Sequence, residues 1–178
     1  MKQVYLEQYK EGGYRNYRVP AIIVTSKGSL LVCYECRHGD DWSTMDMALR
    51  RSTDGGETWE ERFIIAKGEG YNAVHNGVLF ADGDTVHFLY HKNYRELYYT
   101  QSTDDGITWR EPRNLTDTYA ALRDVTNWTV IGAGPGHGLV TSKGRLIIPV
   151  WAAYNPENIT AHWPSNVTTL YSDDHGES

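Results

Sequence analysis

An eight-residue turn pattern that returns along the chain constrains this sequence more than any other feature. Ser52-Thr53-Asp54-Gly55-Gly56-Glu57-Thr58-Trp59 is the first copy and Ser102-Thr103-Asp104-Asp105-Gly106-Ile107-Thr108-Trp109 the second. Ser172-Asp173-Asp174-His175-Gly176-Glu177-Ser178 is a third copy, which stops where the Trp would come. A single-domain enzyme core has no reason to repeat a turn at such spacing, whereas an array of similar hairpins does. The pattern has a mechanical reading. The Asp accepts backbone N–H groups across its own turn, the Gly supplies a positive φ without steric cost, and the Trp folds back as an apolar lid.

Flanking segments repeat as well. Thr25-Ser26-Lys27-Gly28 precedes the apolar run Leu30–Tyr34, Asp82-Gly83-Asp84 precedes Val86–Tyr90, and Thr141-Ser142-Lys143-Gly144 precedes Leu146–Trp151. Each reads as strand, glycine turn, strand. The next strand of the first two units, Met45–Arg50 or Glu96–Thr100, runs straight into a copy of the turn. The expectation is an all-β chain built from propeller blades, at about 18–66, about 73–113 and, incomplete, about 127–178. Thr116–Val125 is the one weak helix candidate. The repeated turn, S-x-D-x-G-x-T-W, resembles the Asp-box, a structural motif that by itself implies no chemistry.

Composition narrows the partners. Seventeen Lys and Arg stand against 23 Asp and Glu, a net charge of −6, so nothing suggests a nucleic-acid surface. An anionic ligand would have to be held by a few placed arginines. No apolar run approaches a membrane span, and the segment from Met1 to Gln8 lacks the apolar stretch of a secretion signal, which makes the cytoplasm the default expectation. Thirteen Tyr and six Trp suit β-structure and sugar-facing surfaces. Cys33 and Cys36, three apart in a strand, point to opposite faces and read as buried thiols; no second ligand pair completes a zinc site, and no metal or cofactor is expected. Sequons at Asn114, Asn127, Asn158 and Asn166 read as incidental.

Chemistry-bearing residues cluster early. Arg18 lies in an apolar, β-forming run, where a charge must be paired either with a neighbouring strand or with a ligand. Glu35-Cys36-Arg37 is followed by the loop His38-Gly39-Asp40-Asp41-Trp42-Ser43-Thr44, which reads either as a solvated turn or as an acid beside an aromatic wall.

Taken in order, Tyr17-Arg18-Val19-Pro20-Ala21, Glu35-Cys36-Arg37, the Asp-bearing loop, two Asp-boxes and Gly134-Pro135-Gly136-His137-Gly138 with Gly144–Trp151 resemble the sialidases (neuraminidases) of the bacterial and animal exo-sialidase family. The resemblance covers nearly the whole chain. It implies a six-bladed propeller, of which this chain is about the first half, that releases terminal sialic acids from glycans with retention of configuration. Arg18 matches the first of three arginines that grip the substrate carboxylate, a task suited to a planar, permanently charged fork. Glu35 matches an acid that orients that arginine, and Arg37 a neighbour of the pocket. The acid/base falls on Asp41 or Asp40; Asp41 fits better when counted back from Arg50-Arg51, and desolvation by Trp42 and the bound sugar is expected to raise its pKa. Asn76 matches a loop near the pocket, Trp151 and Tyr154 its glycerol or aglycone side, and His137 reads as structural. The family's Tyr nucleophile, the Glu that activates it and the other two arginines would follow the third Asp-box, so the chain alone is expected to be inactive. A non-catalytic Asp-box propeller that binds glycans or proteins, and a trans-sialidase, remain alternative readings.

Overall fold

The computed structural model describes residues 3–70 and 72–178; Met1 and Lys2, the head of the segment read for a leader, and Tyr71 lie outside them. Three four-stranded antiparallel sheets follow one another along the chain. The first is β1 (Asn16–Val24), β2 (Leu30–Arg37), β3 (Met45–Ser52) and β4 (Phe63–Ala66), in that spatial order. The second is β5 (Val74–Asp82), β6 (Thr85–Lys92), β7 (Glu96–Ser102) and β8 (Arg113–Asn114). In the third, β9 (Val130–Ala133) and β10 (Leu139–Val140) both pair with β11 (Leu146–Ala153), which pairs with β12 (Ser165–Ser172). Gly134–Gly138 therefore interrupts what would otherwise be one inner strand. The helix candidate is a 3-10 helix over Thr116–Asp124 that fills the step between the second and third sheets. Among the described residues no helix is long and apolar enough to cross a membrane.

Alternation along each strand builds the packing between sheets. On β5, Leu79 faces the first sheet and joins Cys33, Met47 and Phe88 in one buried cluster. Its neighbours Val78 and Phe80 face the third sheet, with Leu97, Ile131 and Val150. On β2, Cys33 faces the second sheet while Val32, Tyr34 and Cys36 face the other way, under Leu6 and Tyr14 of the N-terminal segment and Tyr17 of β1. Both thiols are buried, and burial pushes each up to about 12. Full burial of a side chain such as Phe88 or Met47 contributes about 1.5–3 kcal/mol. The sheets approach so closely that a Cβ on Gly77 would lie 2.5 Å from Met47 Cε and 3.2 Å from Cys33 Sγ.

The repeated turns form as their chemistry demands. Asp54 accepts from Thr58 N and Oγ1, Ser52 Oγ accepts from Gly56 N, and Trp59 Nε1 closes the lid on Gly56 O at 3.2 Å. The second copy repeats these bonds, with Trp109 Nε1 on Gly106 O at 3.1 Å. The third keeps the Ser172 and Asp174 bonds without the Trp. The residue after each Asp adopts a positive φ, 74° at Gly55, 69° at Asp105 and 57° at His175. In the second and third copies that residue reaches back to the preceding sheet. Asp105 accepts from Thr25, Ser29 and Arg51, and His175 pairs with Asp82.

A candidate active site where three blades converge

One cleft, about 320 Å³, draws its lining from all three sheets. Each sheet contributes in the same two ways. The first is an irregularity in its inner strand. The β1–β2 register shifts between Arg18 and Ala21, and the β5–β6 register shifts between His75 and Val78. A bulge of this kind bends the strand and re-aims its side chains, here Arg18 and Asn76. In the third sheet the 134–138 interruption brings Pro135 to the cleft. The second contribution is the loop joining the two middle strands: 38–44 carries Asp41, the tight 93–95 turn carries Tyr94, and 154–164 carries His162.

The charged floor is a row of alternating sign. Glu35 is fully buried; its Oε2 accepts from Arg37 Nε at 2.7 Å and from Arg37 Nη2, and its Oε1 accepts the Asn76 N–H at 2.8 Å. Asp41 Oδ1 accepts from Arg37 Nη1 and, at 3.5 Å, from Arg18 Nη1. Glu35 thus orients Arg37, not Arg18 as the resemblance implied. Glu35 and Arg37, two apart on β2, share a face, whereas the bulge after Arg18 swings that side chain out over the cleft, where it is 61% exposed.

Burial raises the Asp41 carboxyl, but the Arg37 hydrogen bond and the charges of Arg37 and Arg18 outweigh it and hold the group below its ordinary value. Protein burial alone therefore does not raise this carboxyl. Trp42 packs on Tyr94, ring centroids 4.7 Å apart, rather than sealing the carboxylate from water. Burial pushes the Glu35 carboxyl up, against the pull of Arg37 and the Asn76 N–H.

Trp151 lines the cleft from β11, directly opposite Gly132, whose missing side chain leaves room for the indole. Asn76 is buried beside them, with no partner for Nδ2 among the described residues. Asp40 faces outward and spends Oδ1 on the Trp42 N–H, so it holds the loop's turn. Tyr154 is half exposed beyond the end of β11 and does not line the cleft, and His137 is exposed on its loop.

Sequence reasoning missed Tyr94 and His162. Tyr94 is buried against the His75 ring, centroids 3.6 Å apart, and its N–H is accepted by His75 Nε2. Burial, then Glu35 and Asp41, push its phenol above the usual range, the reverse of an activated nucleophile. His162 packs at a tilt among Trp42, Tyr94 and Trp151, and burial lowers its pKa while Asp41 opposes. The available signal was the repeat itself: superposing the three units places 93–95 and 154–164 where the first unit carries Asp41.

The BNR repeat-like domain family matches residues 28–178. The chain belongs to that family. Its relatives are sialidases. It is 30% identical to a sialidase of Bacteroides fragilis and 31% identical to mouse sialidase-4, with 91% of the chain covered in each case. It spans 34% and 39% of the length of those two proteins. Among solved structures it superposes on a Hadza microbial sialidase with a TM-score of 0.75 at 25% identity, covering 93% of this chain and 37% of that one. A Trypanosoma rangeli sialidase in complex with sialic acid matches with a TM-score of 0.75 at 21% identity, again over 93% of this chain and 30% of that one. The three sheets are blades of the sialidase type of β-propeller.

Proposed function

We propose that this chain supplies the acid/base and one carboxylate-binding arginine of an exo-α-sialidase acting on sialylated glycans. The observation that carries the reading is the Arg18–Asp41–Arg37 cluster at a cleft lined by all three blades. Arg18 meets the described residues by a single long contact to Asp41, so most of its five donors are available to a ligand carboxylate. Asp41 has one oxygen in that cluster and Oδ2 without a partner among the described residues, suited to handing a proton to a departing glycosidic oxygen. Trp151 offers a flat apolar face to the sugar. Configuration is retained through a Tyr nucleophile supplied by the rest of the propeller.

Two substitutions and two substrates test the assignment in the full-length protein. A natural sialoside leaves as a poor alkoxide, while an aryl sialoside leaves as a phenolate that needs little protonation. Asp41→Ala is expected to slow the natural substrate about 10²–10⁴-fold and largely spare the aryl one. Asp40→Ala is expected to do little to either. A substrate-dependent loss in Asp40→Ala alone would transfer the role to Asp40, and equal losses on both substrates would remove acid catalysis from this loop.

A further inference from the structure

Two histidines beside the cleft take no part in its charged row. His75 on β5 and His91 on β6 stand opposite each other in the strand register and stack, ring centroids 5.9 Å apart. This chain alone buries both completely. Each ring accepts a backbone N–H from a segment that builds the cleft. His75 Nε2 accepts that of Tyr94 at 2.8 Å, and His91 Nδ1 accepts that of Ala133 at 3.4 Å. Tyr94 lines the cleft, and Ala133 ends β9 two residues before Pro135, which also lines it.

Those two bonds fix the protonation of both rings. A backbone N–H can only donate, so each accepting nitrogen must be bare. His75 is therefore the neutral Nδ1–H tautomer. His91 is the neutral Nε2–H tautomer and donates to the Tyr119 hydroxyl at 2.6 Å. Tyr119, buried in the 3-10 helix, stacks on the same ring with the planes 11° apart.

We infer that His75 and His91 are positioning residues, a pair of neutral imidazoles that hold the Tyr94 turn and the Ala133–Pro135 segment where a ligand meets them. This rests on the reading of the cleft as a sialoside site. The backbone they hold is strained. Asn93 and Tyr94 have φ of 53° and 54°, and Gly134 has 61°. Such non-glycine conformations persist only where surrounding bonds over-determine them. A proton on His75 Nε2 or His91 Nδ1 would set donor against donor and release the segment.

The surroundings keep the pair neutral. Burial, then His91, Arg37 on β2 and His162 in the 154–164 loop, hold His75 well below its ordinary value. Burial brings His91 down to about 3. The phenols in contact, Tyr94 and Tyr119, are pushed upward by burial and carry no charge. Glu35 Oε1 meets the N–H of Asn76 instead of the neighbouring imidazole, and no carboxylate among the described residues bonds either ring. The sign of the pH dependence follows. An unfolded histidine takes up a proton near about pH 6.5 and these two do not, so their contribution to stability is whole above that pH and is lost as pH falls towards the folded values.

Three measurements on the full-length protein test this. Ring-nitrogen spectra should show His75 as the Nδ1–H tautomer and His91 as the Nε2–H tautomer, both still neutral at about pH 5, well below the ordinary histidine value. The opposite tautomers, or titration at the ordinary value, overturn the inference. His75→Gln puts an amide oxygen where Nε2 stands and cannot take up a proton. Its folding constant relative to wild type should gain up to about tenfold per pH unit as pH falls from about 6.5 to about 5. A difference that does not change with pH overturns the inference. Kinetics on an aryl sialoside supply the third measurement. His75→Leu leaves the Tyr94 N–H unpaired and should raise KM up to about tenfold, the equivalent of one lost hydrogen bond, with kcat nearly unchanged. His75→Gln should restore most of that loss. The same KM in all three proteins, or a Gln variant as poor as Leu, overturns the positioning role. Should His75→Leu fail to fold, the Gln variant and the spectra decide. Absence of turnover by the wild-type protein refutes the sialoside reading itself, and the spectra and the pH dependence of folding then judge the histidine pair without it.

Discussion

Asp105 ties the second blade to the first, and its removal has a cost that follows from its bonds. It sits one residue past the Asp of the second Asp-box and is 5% exposed. Its carboxylate accepts from Thr25 Oγ1 at 2.5 Å, Ser29 Oγ at 2.6 Å and Arg51 Nη2 at 2.5 Å, all on the first blade. Burial alone would raise its pKa, but the two hydroxyls and the guanidinium bring it from 3.8 down to about 2. At 1.36 kcal/mol per unit that gap is worth about 2 kcal/mol at neutral pH. Asp105→Asn is the cleanest perturbation, because Asn is nearly isosteric and tolerates the φ of 69° that Ala would not. The sign follows from the direction of the shift. A depressed carboxylate adds stability above its unfolded pKa, and that contribution is lost as pH falls from about 4 towards about 2. Urea denaturation of wild type and Asp105→Asn at a series of pH values should give a difference of about 2 kcal/mol at pH 7 that shrinks steadily below pH 4. A difference independent of pH, or one under about 0.5 kcal/mol at pH 7, the size of an ordinary surface change, would refute the account of Asp105 as an ionised clasp.

Two further substitutions probe the cleft in the full-length protein. Arg18→Ala should cost roughly 2–5 kcal/mol of binding or transition-state stabilisation towards sialosides, and Arg18→Lys should recover only part of it, because an ammonium lacks the planar two-bond fork; near-normal kinetics in Arg18→Ala would remove it from the site. Gly132→Ala drives a Cβ into Asn76 Nδ2 and to 2.9 Å from Trp151 Nε1, an overlap that should cost about 1–3 kcal/mol of stability and, by shifting Trp151, raise KM several-fold; an unchanged KM in a destabilised protein would show that this wall of the cleft does not touch substrate.

Much of the architecture was legible because the Asp-box carries its own physics. Ser, Asp, Gly and Trp at fixed offsets specify a turn whose bonds are nearly all internal, so its position needs no tertiary information. The site was legible only where a local pattern marked it. Arg18 and Asp41 stand in short motifs. Tyr94 and His162 do not, since each reaches the cleft only because its blade is superposable on the first. The partner of Glu35 was misassigned for a related reason. Arg18 lies directly opposite Glu35 in the β1–β2 register, and Arg37 lies two residues along the same strand, so pattern alone offers both. The bulge at 19–20 decides between them. The sign of the Asp41 shift likewise depended on a contest between burial and two cations that no linear spacing reveals.

What decides the site, then, is where the chain departs from regular strand geometry. Seven described residues other than glycine have positive φ, and four of them, Val19, Asn76, Asn93 and Tyr94, are at the cleft or next to a residue that lines it. Val19 is the least expected, because a β-branched side chain at φ 55° is a genuine outlier. Conformations of this kind cost of order 1–3 kcal/mol each and persist only where surrounding bonds over-determine them. Here those bonds are visible. Asn76 N–H is held by Glu35, Asn93 N–H by Ala73 O at 2.9 Å, and Tyr94 N–H by His75 Nε2. Glu35 therefore serves twice, fixing Arg37 in the charged row and fixing the strained Asn76 backbone of the next blade. The same buried carboxylate couples the aim of the guanidinium to the docking of two blades, which is why a change at Glu35 would be felt in the cleft and in the fold together.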